Sequence, residues 1–269
     1  MNPDQPGKLV QTDPWSELRR LTRARVALGR AGHSLPTSEV LEFSYAHALA
    51  RDAVHTALDV DSLDRSLVAA GFQTVRVHSA APDRATYLLR PDLGRQLDPA
   101  SRTSLQDHPD QGCDVLTVIA DGLSSLAVTR HAQPVLEALR AIAPDHLRFG
   151  PVVLASQARV ALGDAIGDLM RPKIVILLIG ERPGLSSPDS LGIYLTFAPK
   201  SGRKDSERNC ISNIRPEGLS HELAAFKSLW LIRAALQLGL TGVDLKDHSD
   251  ASLPSEPRHS QNLLRAEPD

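Results

Sequence analysis

The sequence predicts an α/β protein, an open parallel sheet preceded by a smaller, mainly helical N-terminal domain. Between residues 114 and 179 short apolar runs alternate with helix-like stretches, the pattern of strands joined by helical crossovers. Lys173–Ile179 is a continuous Val/Ile/Leu run of the kind that is buried on both faces of a parallel sheet. Ahead of residue 110, apolar residues recur mainly at helical spacing.

Taken in order, residues 1–12 are polar and read as a loose arm. Asp13-Pro14 then predicts a helix start, with Asp13 as cap and Pro14 at the first helical position. Leu18, Leu21, Ala24 and Leu28 would form its apolar stripe, and Gly29 and Gly32 would end it. Thr37–Leu58 reads as a second helix and the DSLDRSLVAAGF segment as a third. Phe72–His78 and Arg84–Leu89 look strand-like, and RPDLGR between them and the next segment is a turn. SRTSLQDHPDQG is a polar connection, which sets a domain boundary near residue 110 and an N-terminal domain over 13–110.

The α/β domain spans 111–243. Strands are expected at Asp114–Ala120, Pro151–Ala155 and Lys173–Ile179, with helices running to about Ala143 and over Ala161–Met170. Leu191–Phe197 and Cys210–Ile214 are further strand candidates across the charged loop KSGRKDSERN. Ser220 predicts the cap of a last helix, His221–Leu238, with Gly239 as its stop. That helix is apolar nearly all round and belongs between layers. Residues 244–269 are polar and Pro-containing, and a disordered tail is expected there.

Composition excludes several classes. The chain has 269 residues, is 42% hydrophobic and carries a formal charge of -2, so nothing draws it globally to nucleic acid or anionic membrane. Two cysteines, Cys113 and Cys210, rule out a disulfide framework and suit a reducing compartment. The start MNPDQPGKLVQTDPW has no apolar core of a signal peptide, and no apolar run is long enough for a membrane helix. A soluble, internal protein is expected.

In open α/β sheets ligands bind outside the carboxyl ends of the strands. Three such ends carry loops of note: Asp121–Ser124, Ser156–Val160 and Gly180–Gly184. Gly, Pro and Ser are common in ordinary strand–helix turns, so the content alone leaves ligand contact open. There is no G-x-G-x-x-G, no P-loop, no H-E-x-x-H and no nucleophile elbow. A nucleotide-binding Rossmann-like enzyme and an RNA-binding module built on Arg19, Arg20, Arg23, Arg25 and Arg30 are the alternatives that remain.

Five segments decide further: DPWSELRRLTRARVALGRAG (13–32), YLLRPDLGR (87–95), VIADGLS (118–124), KIVILLIGERPG (173–184) and NCISNI (209–214). In content and order they resemble the light chain, or small subunit, of bacterial ethanolamine ammonia-lyase. GERPG followed by CISNI is the specific part. The resemblance implies a Rossmann-like cobalamin-binding domain and adenosylcobalamin-dependent, radical conversion of ethanolamine to acetaldehyde and ammonia. It implies a TIM-barrel heavy chain as partner, which holds the substrate pocket, in an assembly of three heavy2–light2 units.

Carried over by motif position, corrin contacts fall on Val160, Glu181 and Cys210, with no catalytic residue and no metal ligand on this chain. The first two lie in strand-end loops already singled out. A Glu in a turn is ordinarily solvated and a lone Cys ordinarily packed, so motif position is what lifts them. The D-x-H-x-x-G string that replaces the cofactor's own base with a histidine is missing. The cofactor is therefore expected base-on. Residence in a bacterial microcompartment follows by family analogy, but only residues 1–12 precede the first motif, so plain cytoplasm is the other expectation.

Overall fold

A computed structural model describes residues 9–252; the expectations for 1–8 of the arm and 253–269 of the tail lie outside the described residues. The strands are β1 (Thr74–His78), β2 (Val115–Ala120), β3 (Phe149–Ser156), β4 (Ile174–Gly180), β5 (Leu191–Phe197) and β6 (Asn209–Ile214). The helices are α1 (Thr37–His55), α2 (Val60–Ala69), α3 (Arg84–Leu89), α4 (Pro99–Gln106), α5 (Ser125–Ile142), α6 (Leu162–Met170) and α7 (His221–Leu238).

All six strands join one sheet in the order β1-β3-β2-β4-β5-β6. Every residue of β2 and β4 is buried, as their unbroken apolar runs require of strands covered on both faces. β1, β3, β2 and β4 are parallel. The wholly parallel sheet expected from the sequence is corrected at one side, where β5 is antiparallel to β4 and β6 antiparallel to β5. The physical reason is the connection: 181–190 contains no crossover helix, and a direct return can only pair antiparallel.

Helices cover both faces. α5 packs with α2 and α7 on one core, through Val128, Ala132, Leu67 and Ile232. α4 and α6 pack on the other, through Leu105, Leu162 and Ile166. Since β2 leads through α5 to one neighbour and β3 returns through α6 to the far side of β2, the winding reverses between β2 and β4. α7 starts where Ser220 accepts a hydrogen bond from Leu223 N and ends at Gly239, φ +72°, as the sequence predicted.

Four local expectations are corrected. Residues 13–32 hold only a 3-10 turn, Ser16–Arg20, because Leu18 and Leu21 find no surface to bury against and a short helix does not persist without one. The chain instead loops back, with Gln11 and Arg30 exchanging backbone hydrogen bonds of 2.7 and 2.9 Å. Arg84–Leu89 is helix α3 and not a strand, since Asp83 Oδ1 caps it at Thr86 N (2.7 Å) and Tyr87 turns fully inward. The polar connection before residue 110 contains α4, capped by Asp98 on Ser101 N and anchored by buried Leu105. The first part of the expected tail packs on the domain: Leu245 is buried, and Lys227 of α7 holds Asp247 and Asp250. The segment 13–110 also supplies β1 to the common sheet. No single helix among the described residues is long and apolar enough to cross a membrane.

Candidate functional site

The carboxyl edge of the sheet has two unlike halves. At β2 the edge is sealed. Asp121 is buried; its Oδ1 accepts from Gly122 N (3.0 Å) and Ala158 N (2.8 Å), and its Oδ2 accepts from Gln157 N (2.9 Å). Burial pushes this carboxyl above the usual range, while those N–H donors and Arg84, 3.4 Å away, oppose the shift. The reach to Asp121 holds Gln157 in the left-handed region, φ +53°.

Glycines complete the seal. Leu123 N donates to Gly180 O at 3.0 Å. A Cβ on Gly122 would stand 2.3 Å from Gly180 O, and one on Gly180 would stand 2.0 Å from Ser124 O. The two loops thus touch backbone to backbone across the point where the winding reverses. Over β3 and β2 lies α3, whose Arg84 donates to Gly122 O (2.8 Å) while the Tyr87 ring carries the guanidinium groups of Arg84 and Arg159. The loop 121–124 is therefore structural, and a dinucleotide has no gap to enter there.

Past β4 the edge is open. α7 covers one face of β5 and β6, where Leu191, Ile193, Leu195, Ile211 and Ile214 join its core. The alternate residues Gly192, Tyr194, Cys210 and Ser212 point to the other face. Cys210 and Ser212 are exposed there. Glu181, half-buried, is aimed across this face. Its Oε2 accepts from Ser190 Oγ (2.5 Å) and Asn213 N (3.3 Å), and its Oε1 lies over Gly192, where a Cβ would come within 2.9 Å. Among the described residues no donor reaches Oε1. The glycine is what leaves the carboxylate room to lie flat.

Cys210 and Tyr194 are paired across β6 and β5. Burial first, then Cys210 and the Glu181 charge, pushes the Tyr194 hydroxyl up to about 12. Crowding of the sulfur by its neighbours, and then the same carboxylate, push the thiol of Cys210 up as well. Val160 is half-buried against the α6-side core, and its carbonyl accepts from Gly163 N at 3.1 Å in the turn that opens α6. All three residues singled out by motif thus belong to the α6 side of the sheet. Glu181 and Cys210 share one surface, with Val160 at the head of the neighbouring helix.

Sequence reasoning missed the clamp beneath this surface. Arg208, next to Asn209-Cys210, grips Asp164 in the first turn of α6 with bonds of 2.5 and 2.7 Å, both side chains buried. It sets the distance between the start of α6 and β6. No local signal marks it, because its members are far apart in sequence. Ser190 and Asn213, which fix Glu181, are equally silent; the alternation Gly192/Tyr194 in β5 is the one readable sign of the face.

A cavity of about 530 Å³ lies at the opposite edge, among Phe72, Cys113, Leu139, Arg140, Arg148 and Phe149, and contains none of these residues. No group of three or more metal-ligating side chains occurs among the described residues. The arginines of the N-terminal segment form no row for a phosphate backbone: Arg19 pairs with Glu39, Arg20 with Glu17, and Arg25 stacks on Phe43.

The family model for the ethanolamine ammonia-lyase light chain matches residues 12–246. The chain belongs to that family. It is 50% identical to the ethanolamine ammonia-lyase small subunit of Pseudomonas syringae pv. tomato over 97% of this chain and 96% of the relative. The small subunits of Azotobacter vinelandii (52% over 89% and 90%) and Pseudomonas aeruginosa (51% over 94% and 95%) are similarly alike. The light-chain match therefore runs through both halves of the carboxyl edge and the N-terminal segment.

Proposed function

We propose that the open β4–β5–β6 face is this small subunit's part of an adenosylcobalamin site in ethanolamine ammonia-lyase. The family depends on that cofactor, and a small subunit works with a large one. One observation carries the assignment. Glu181 and Cys210 lie on the same face of the sheet, which is exposed at Cys210 and Ser212 of β6, and Val160 heads the helix beside it, while the adjoining edge is closed by backbone contacts.

The residues fit the group. A corrin offers a broad apolar body fringed with amides, and the face offers Gly192, Tyr194, Cys210 and Ser212 beside a carboxylate oxygen that no donor among the described residues reaches. Glu181 Oε1 accepts an amide N–H, Cys210 packs as a small soft residue with a weak donor, and Val160 gives an apolar wall. When bound, adenosylcobalamin supplies the radical that converts ethanolamine to acetaldehyde and ammonia. This chain's residues bind and orient it and exclude water. The large subunit, read as a TIM barrel, holds the substrate pocket. The same reading has the cofactor base-on, because the sequence has no D-x-H-x-x-G, and an assembly of three heavy2–light2 units. Its site is a bacterial microcompartment or the cytoplasm.

Glu181→Gln in the assembled complex tests the reading. A hydrogen bond to an ionised acceptor contributes on the order of 1.5–3 kcal/mol. Hydroxocobalamin titration followed by its visible spectrum should give a Kd weakened roughly ten- to hundredfold. An unchanged Kd would return Glu181 to a role internal to the β4–β5 loop.

A further inference from the structure

The N-terminal part of the chain stands apart from the core. In α1, a helix of 19 residues, only Ala46 and Ala53 are buried. Leu41, Tyr45 and Leu49, spaced four apart on one stripe, are 63%, 67% and 41% exposed. Leu9, Trp15 and Leu21 of the preceding loop are exposed too, and most of the large exposed apolar side chains among the described residues fall between 9 and 49. Helices in water owe most of their stability to packing an apolar face. Exposed apolar surface concentrated in this way marks a surface awaiting a partner.

The position of this unit identifies the occupant. α1 is tethered at its C-terminal end to the sealed carboxyl edge: Val54 O accepts from Arg84 Nε and Thr56 O from Ser125 Oγ, both at 2.8 Å. The loop before α1 is tied to that helix by Arg19–Glu39 and by Arg25 over Phe43. It approaches the open half through Arg23, 4.0 Å from Glu217. Glu217 pairs with Arg215, Arg215 Nε donates to Asn213 Oδ1 at 2.8 Å, and Asn213 N donates to Glu181. Residues 9–55 therefore stand on the same edge as the cofactor face and run along its rim.

We propose that residues 9–55, with the Leu41–Tyr45–Leu49 stripe at their centre, are the surface on which the large subunit docks. The inference rests on the reading of the open face as a half-site. A large subunit that closes that face from the carboxyl edge reaches this apolar unit in the same approach. A second copy seated here would bring one half-site towards another and leave both without a substrate pocket. Arg25 and Arg30 meet no carboxylate among the described residues, so the matching surface is apolar with carboxylates at its rim.

The test is assembly of the full chain with the large subunit in the absence of cobalamin, measured by sedimentation. Leu41→Glu with Tyr45→Glu should weaken association by at least about tenfold, because charges would enter the apolar centre of the contact. The isolated variant should melt with the wild type. Leu238→Glu with Val243→Glu, at positions 58% and 59% exposed elsewhere on the chain, should assemble normally. In the wild-type chain, hydrogen exchange at the α1 amides should slow when the large subunit is added, a readout that needs no variant. Unchanged assembly of the α1 variant, or unprotected α1 amides in the complex, would overturn the proposal. So would a variant that loses only self-association of the small subunit. Since no cofactor is present, these outcomes are separate from the Glu181 titration: either reading can fail while the other stands.

Discussion

The two halves of the carboxyl edge begin from similar sequence and end in opposite arrangements. Asp121-Gly122-Leu123-Ser124 and Gly180-Glu181-Arg182-Pro183-Gly184 both follow buried strands, and both are rich in residues that line ligand sites. In the first, the acid is consumed by backbone donors and Arg84, and the glycine is filled by a neighbouring carbonyl. In the second, the acid is held at one oxygen and left available at the other. What separates them is the covering. α3 closes the edge over β2 and β3, while at β6 the sheet leaves Cys210 and Ser212 exposed on the α6 side. Acid and glycine in a strand-end loop indicate a site only where no other segment has already taken them up.

Gly180→Ala should break this contrast most severely. Its Cβ would fall 2.0 Å from Ser124 O, a backbone atom that cannot yield without moving β4 or α5. A loss of about 4 kcal/mol or more is expected, at the extreme of single substitutions. Thermal unfolding by circular dichroism should show it, or the chain should fail to accumulate in soluble form. A variant that melts close to the wild type would mean that the seal is not rigid.

Asp121→Asn should come next. The amide keeps one acceptor oxygen but sets its NH2 against either the Gln157 donor or the Ala158 and Gly122 donors, and it leaves Arg84 without its charge partner, at a cost of about 3 kcal/mol. Urea denaturation measures this, and an effect under about 1 kcal/mol would place Asp121 among ordinary turn residues.

On the open half the same kind of change should have the reverse signature. Cys210 is exposed, so Cys210→Leu should shift stability by no more than about 0.5 kcal/mol. It should nonetheless weaken cobalamin binding by the assembled complex roughly tenfold, because the added bulk lifts a flat ligand from the sheet. If stability falls and binding does not, the face is core and not site.

The smallest effect lies on the covered side of the open half. His131 Nδ1 is 3.0 Å from His221 Nε2, and its Nε2 is 3.7 Å from Asp189 in the loop that ends at Ser190. Burial, and then His221, hold His131 below its usual pKa of 6.5, against the pull of Asp189. As the pH drops through about 6.5 the unfolded chain takes up this proton before the folded one, so stability rises with pH across that window and is lost below it. Melting curves from about pH 7 to about pH 5 should show the decline, and His131→Asn should flatten it. An identical slope in the variant would assign the decline to other groups.

Much of this protein was written locally. β2 and β4 follow from apolar runs, and α7 follows from Ser220 and Gly239 at its ends, because caps and periodicity act within a few residues. The motifs GERPG and CISNI single out Glu181 and Cys210 from local sequence alone. What stayed hidden depends on partners distant in the chain. Arg84–Leu89 is apolar enough for a strand, and the cap from Asp83 with the space for Tyr87 beneath Arg159 made it a helix. The Asp13–Gly32 stripe had the spacing of a helix but nothing in this chain to pack against. The sequence by itself determined the strands and long helices of the α/β part, and the family. Only the tertiary structure decided the direction of β5 and β6, the clamp of Arg208 on Asp164, and which strand-end loop closed. Each of these depends on groups brought together by the whole sheet, and local residue pattern contains no term for them.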